Sequence, residues 1–329
     1  MKLAAARAQT ENPRRQPNRE NAMDPVSAGC LEMTCRKSFP LRLAHRESLL
    51  VCLIASLVLL AGAMVQAQGR RVEGLQTPES VVVGPDGRLY VSEIGGFGTD
   101  GDGRISVIGA DGKPEPFAKG LDDPKGLAAS RDAIYAADKL RIWKIDMKGN
   151  ATVFVKADAF PQPPLFLNDL AFDASGNLFA SDSGDIEKGG KGAIFRITPE
   201  GTVTLLVSES SRPAIKSPNG LLSESADKLL VVDFATGELL RLDVKKLTVD
   251  KIADGFGGGD GLARDSNGML YISDWKNGKA WKMDLRTPGA KPEQYGQTFQ
   301  SAADIALSSD EQFLLVPDMK AGALVWLPK

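Results

Sequence analysis

One short pattern recurs six times along this chain, and it restricts the fold more than any other feature of the sequence. It is clearest at residues 259–274, GDGLARDSNGMLYISD. There a strand, Gly261-Leu262-Ala263, runs into a tight turn at Ser266-Asn267-Gly268. A second strand follows, Met269-Leu270-Tyr271-Ile272, and ends on Asp274. The other copies lie at 78–93, 124–138, 167–182, 218–233 and 302–318. The closing acids Glu93, Asp138, Asp182, Asp233, Asp274 and Asp318 fall 45, 44, 51, 41 and 44 residues apart. A period of roughly 40–45 residues carrying several strands is that of a propeller blade. The expected fold is therefore all-β, a six-bladed β-propeller of four-stranded blades, occupying residues 68–329 as one domain.

Each copy is followed by a third strand, at 104–108, 141–145, 193–197, 238–242, 279–283 and 323–327. Five copies then have a fourth segment, at 116–118, 152–155, 202–207, 248–252 and near Tyr295. The sixth has none. Residues 72–78, VEGLQTP, match 118–124, AKGLDDP, where the fourth strand of the first copy enters the next blade. The N-terminal segment is thus expected to complete the last blade, which closes the ring and removes an open sheet edge. The turns fall into two sets. Those on one face are short and rich in glycine, as β-turns require. Those on the other are long and varied (94–103, 157–166, 183–192, 208–217), as on a binding face.

Ahead of the repeats lies an uncharged apolar run at 49–65, LLVCLIASLVLLAGAMV, preceded by Arg36, Lys37, Arg42 and Arg46 and followed by Val65-Gln66-Ala67. This order predicts a leader over 1–67 with a signal peptide cleaved after Ala67, and hence an exported, periplasmic or secreted domain. Uncleaved, the same run would be a membrane anchor. The leader contains Cys30, Cys35 and Cys52, and also His45, the sole histidine of the chain. The remaining domain can use neither thiol nucleophiles, nor Ser-His-Asp triads, nor His/Cys zinc sites. Its 31 Lys/Arg against 37 Asp/Glu, a formal charge of −6, give no reason to expect nucleic acid or an anionic membrane as partner.

Aligning the copies places Glu79, Lys125, Asn168, Asn219, Asp260 and Ala303 at one position, the head of each innermost strand beside the axis. Four of the six offer oxygen and together carry a charge of −2. That set, Glu79, Asn168, Asn219 and Asp260, suits one hard divalent cation, Ca²⁺ before Mg²⁺ or Mn²⁺, with Zn²⁺ also open. Lys125 is placed to hold a substrate carboxylate or oxyanion. The closing acids recur in all six copies and are read as turn-capping groups. Trp143, Phe195 and Trp281 share one position in the third strands and are read as packing between blades.

Pro78-Glu79, Asn168-Asp169, Pro218-Asn219-Gly220-Leu221 and Gly259-Asp260-Gly261-Leu262, followed by Asp265-Ser266-Asn267-Gly268, resemble the senescence-marker-protein / gluconolactonase / luciferin-regenerating-enzyme family. The resemblance covers about the whole domain. It implies a six-bladed propeller with one axial divalent cation that hydrolyses lactones or other esters. It further implies Glu79, Asn219 and Asp260 as metal ligands, Asn168 as ligand or substrate contact, and Asp169 as a partner behind them. Two positions depart from the family's pattern. Phe166 stands where sugar-lactonase members carry arginine, and Val81-Val82-Val83 lack an aromatic residue usual there. Both departures point to a less polar lactone or ester.

The function expected is a metal-dependent hydrolase of a lactone or related ester, with a small-molecule substrate. Without histidine, the base that activates water is a carboxylate, Asp260 first and Asp169 second. The rival expectation is a non-enzymatic exported propeller in which a cation only rigidifies the channel and the long loops bind a ligand or protein.

Overall fold

The computed structural model describes residues 70–329. The leader expected at 1–67, with its apolar segment 49–65 and cleavage after Ala67, lies outside them. The described chain forms six four-stranded antiparallel sheets, each an up-and-down meander. Their innermost strands are Pro78–Val83, Pro124–Ala129, Leu167–Phe172, Pro218–Ser225, Gly259–Arg264 and the two-residue Ala306–Leu307. We number the blades one to six in that order. Arg71–Glu73 pairs antiparallel with Ala323–Pro328, Arg71 opposite Val325, and so supplies the outer strand of blade six. The ring closes between its two ends as the sequence match implies.

Alternation along the strands explains how the blades pack. Inward-facing apolar residues of one sheet meet those of the next, so the hydrophobic clusters lie between blades. Val81, Val91 and Ile108 of blade one pack with Leu315, Leu324 and Trp326 of blade six. Tyr135, Ile142 and Val155 of blade two pack with Leu170, Ala180 and Phe195 of blade three. Phe195 is fully buried there and meets Phe160 edge-on at 5.0 Å between ring centroids. It is a packing residue, as its repeat position suggests.

Two features of each blade aim the strand heads at the axis. The first is a break in the ladder. In blades one to five the pairing of the innermost strand shifts between its first residue and its fourth, as between Pro78 and Val81 or Gly259 and Leu262. The second and third residues are freed from regular pairing, and such irregularities turn side chains off the sheet normal. In blades one, three and five a serine of the second strand accepts the backbone N–H released by the break. Ser92 takes that of Ser80, Ser181 that of Asp169 and Ser273 that of Gly261, at 2.7–2.9 Å.

The second feature is the closing acid. Each of the six is buried and accepts backbone N–H groups from the segment that enters its own innermost strand. Asp138 accepts from Asp122 and Asp123, and Asp182 from Leu165 and Phe166. Asp233 accepts from Lys216 and Ser217, and Asp318 from Gln300 and Ser301. Glu93 and Asp274 do the same for Gln76 and Gly258. Five of the six accept two or more backbone N–H groups, and Glu93 adds the Arg104 and Ser106 side chains to the one it accepts. A carboxylate so bonded fixes a loop strongly, so these acids hold the strand heads in place.

Candidate active site

The six strand heads meet around the axis, and three close approaches require glycine. At Gly126, Gly220 and Gly261, a Cβ would collide with the backbone or carboxylate of the next blade at Asp169, Asp260 and Asp304 respectively. Blade six reaches back to blade one through the Asp304 N–H donated to the Glu79 carbonyl at 2.9 Å. The residue just before each glycine, or before its counterpart in the other blades, is therefore forced toward the axis.

Glu79, Lys125, Asn168, Asn219 and Asp260 all line one cavity of about 190 Å³ at that point. All five expected residues of the strand-head position that carry polar groups are brought together, and all are at most 6% exposed. Ala303, the sixth, is buried and adds no polar group. Among the described residues, five buried side-chain polar atoms have no hydrogen-bond partner. Four of them are Glu79 Oε2, Asn168 Oδ1, Asn219 Oδ1 and Asp260 Oδ1. The fifth, Trp281 Nε1, lies away from the axis. Buried oxygens are ordinarily satisfied, and here four converge unsatisfied at the floor of one cavity. The amide of Asn168 is oriented by its Nδ2, which donates to Ser183 Oγ at 3.0 Å.

Asp169 is set apart from this group. Its two carboxylate oxygens accept the backbone N–H groups of Leu170 and Leu221 at 2.6 Å each, the second across a blade boundary. It lies not in the strand-head cavity but in a second one of about 340 Å³ further down the axial channel. There it is joined by Asp304, which is not among the site residues expected from the sequence. Asp304 Oδ2 accepts the Ser80 hydroxyl at 2.5 Å, and Ser80 Oγ accepts the Leu127 N–H at 3.1 Å. Asp169 and Asp304 thus form a tier beneath the four orphaned oxygens, Asp169 tying blade three to blade four and Asp304 tying blade six to blades one and two through Ser80.

The electrostatics of the two tiers are those of crowded acids. Burial, and then the Asp260 and Asp304 carboxylates, push Glu79 well above the usual carboxylate range. Burial and Asp304 do the same to Asp260 and to Asp169, and burial pushes Asp304 up to about 7. Lys125 is the buried cation among them. Burial lowers its ammonium, and the Glu79 charge opposes that lowering. Its Nζ donates to the Asp123 carbonyl at 3.0 Å and lies 4.2 Å from the centre of the Phe166 ring. Four acids against one amine leave a charge of −3 if all ionise. The donor set (two carboxylates, two amide oxygens and a deficit of positive charge) fits one hard divalent cation.

The cavity opens on the face of the long loops. Its walls come largely from the residue that follows a closing acid: Ile94, Ser183, Phe234, Trp275 and Met319. That regularity was present in the sequence, since the closing acids were already aligned. Asp304 was harder to find: it shares the repeat position of Asp169, one residue after the strand head, but the other four copies carry serine or glycine there.

A sequence profile of the SMP-30/Gluconolactonase/LRE-like region matches residues 132–312, more than half of the chain. The molecule is a six-bladed β-propeller, and the chain belongs to the SMP-30/gluconolactonase/LRE-like family. A comparison with curated proteins found no match. Among solved structures, a protein of unknown function from Bacteroides thetaiotaomicron superposes with a TM-score of 0.61 at 15% identity, over 77% of this chain and 70% of that one. A calcium-binding protein, regucalcin, from Agrobacterium tumefaciens gives 0.60 at 19% identity, over 78% and 90%. Virginiamycin B lyase from Staphylococcus aureus gives 0.53 at 14% identity, over 80% and 100%. At these identities the likeness speaks to the fold.

Proposed function

We propose that this protein is a divalent-cation-dependent hydrolase of a lactone or related ester, with calcium as the cation. The observation that carries the reading is the set of four unpartnered oxygens on the floor of an open cavity. Glu79, Asn168, Asn219 and Asp260 would hold the cation. Membership of a family that includes lactonases, and the fold shared with a calcium-binding regucalcin, support the same assignment. A bound cation supplies Lewis acidity at the substrate carbonyl.

The chain's own groups do the rest. Residues 70–329 contain neither histidine nor cysteine, so a carboxylate must take the proton of the attacking water. Asp260 faces the cavity and fills that role. Asp169, with both oxygens committed to backbone N–H groups, positions the heads of blades three and four. Lys125 has N–H groups beyond the one given to Asp123, and they can bear on the negative charge that develops on the carbonyl oxygen. Asn168, oriented by Ser183, would contact the substrate as well as help hold the cation. The apolar walls exclude water around these groups, which strengthens every charge interaction inside. A cation serving only to stiffen the channel would sit in a closed site, whereas the four oxygens that would hold it lie under an open cavity.

A screen of lactones, aryl esters and phosphotriesters, run with and without chelator, tests the reading. Lactone or ester turnover should vanish on chelation and return with calcium. Glu79→Gln should lower it by about 10²-fold or more. Turnover that neither chelator nor Glu79→Gln affects would remove the cation from the reaction.

A further inference from the structure

The floor and the walls of the axial cavity are chemically different. The floor carries the charged and amide groups, all at the strand heads. The walls are Phe97, Phe166, Ile186, Phe234, Trp275 and Met319. None of these side chains offers the cavity a free hydrogen-bonding group. The Trp275 indole N–H is directed to Met319 Sδ at 3.2 Å. Ser183, the one hydroxyl in the lining, spends its donor on the Pro218 carbonyl at 2.9 Å. Phe97 and Ile186 are 57% and 50% exposed, large apolar side chains held at the rim of the opening on two of the long loops. Large side chains of this kind facing solvent beside a cavity mark a surface that an apolar ligand covers.

We propose that the substrate is a lactone or ester with an apolar body, an alkyl or aryl group seated between these walls, and that polyhydroxylated sugar lactones are poor ligands. This rests on the hydrolase reading for the position of the carbonyl, which the floor holds. The walls then receive everything beyond it. Each sugar hydroxyl brought between them loses water and finds no partner, at a cost of about tenfold in affinity. An alkyl chain of several carbons gains there instead, since each methylene removed from water contributes about fourfold.

The test uses lactams, which keep the ring and carbonyl of a lactone but resist hydrolysis. An alkyl-substituted δ-lactam and gluconolactam are titrated calorimetrically into the calcium-loaded protein. The alkyl lactam is expected to bind at least about 30-fold more tightly. Equal or tighter binding of gluconolactam, or no binding of the alkyl lactam at millimolar concentration, overturns the inference. Ile186→Asn and Phe97→Asn change exposed loop residues outside the cation-holding set. Each should weaken the alkyl lactam about five- to tenfold and leave gluconolactam unchanged; unchanged alkyl binding in both counts against the walls. Rates on the matching lactones separate the two levels of the account. Hydrolysis of gluconolactone in preference to the alkyl lactone sinks the inference and keeps the hydrolase. Absence of turnover on both sinks the hydrolase, and the lactam ratio still decides the character of the walls.

Discussion

Two rings of oxygen donors sit one strand apart in this propeller. The outer one is made of the closing acids of the second strands, and the inner one of the strand-head residues beside the axis. Both are removed from solvent to the same degree: 0–3% exposure for the closing acids, 3–6% for Glu79, Asn168, Asn219 and Asp260. They differ in satisfaction. Asp233 alone accepts the N–H groups of Lys216, Ser217, Ala235 and Thr236. Each of the four axial residues leaves an oxygen with no partner. A buried acceptor without a partner costs about 1–3 kcal/mol, and more when charged. Burial alone therefore does not distinguish a structural acid from a functional one. The hydrogen-bond account does, and it assigns the outer ring to holding the inner one in place.

The contrast can be broken most forcefully at the inner ring. Asp260→Asn should lower hydrolysis by about 10²-fold or more, through the lost proton acceptor. In steady-state assays kcat should carry most of the loss. The same variant should leave the thermal midpoint of the chelated protein unchanged or raised, because it removes a buried charge that has no partner. A drop in that midpoint as large as the one expected for a closing acid would erase the distinction between the rings.

At the outer ring the signs reverse. Asp233→Ala strips four backbone donors of their acceptor and should destabilise the fold by about 3 kcal/mol. That is roughly 6–12 °C in the thermal midpoint. Because Lys216 and Ser217 lead into the strand that bears Asn219, cation affinity should fall as well, though less than in an axial variant. Between the rings, Ser80→Ala releases both Asp304 and the Leu127 N–H. A loss of about 1–2 kcal/mol in denaturant unfolding is expected. The smallest effect belongs to Trp281, whose indole N–H is also unpartnered but lies far from the axis. Trp281→Phe gives up a group that was never satisfied, so stability should change by under about 1 kcal/mol, with lactone turnover unaffected. A large loss of turnover there would show that an orphaned polar atom is no guide to the site in this molecule.

How much of this could be read in advance depends on what repeats. The blade period, the ring closure through residues 71–73 and the strand-head set are all repeat properties, and one aligned position carries each of them. Glu79, Asn168, Asn219 and Asp260 were legible because the fold turns a common register into a common place. Asp304 was not, because it stands one residue after the strand head, at the repeat position of Asp169, where the other copies carry Ser80, Gly126, Gly220 and Gly261 and no recurring acid marks the place. The separation of Asp169 from the cavity was equally hidden. Adjacent residues of a strand project to opposite sides, but the ladder breaks at each strand head, and sequence alone does not say where the next side chain goes. The serine that precedes Glu93, Asp182 and Asp274 was visible as a recurring pair, and its role became clear only with the N–H it accepts. Part of the apolar wall, Ile94, Phe234, Trp275 and Met319, follows the closing acids and so keeps the repeat, whereas Phe97, Phe166 and Ile186 come from loops whose convergence no period announces.

Calorimetric titration of calcium into the chelator-stripped protein tests the central claim most directly. The account predicts a single saturable site, weakened at least about 100-fold by Glu79→Gln and little affected by Trp281→Phe. Absence of binding, or binding that Glu79→Gln leaves intact, would contradict it.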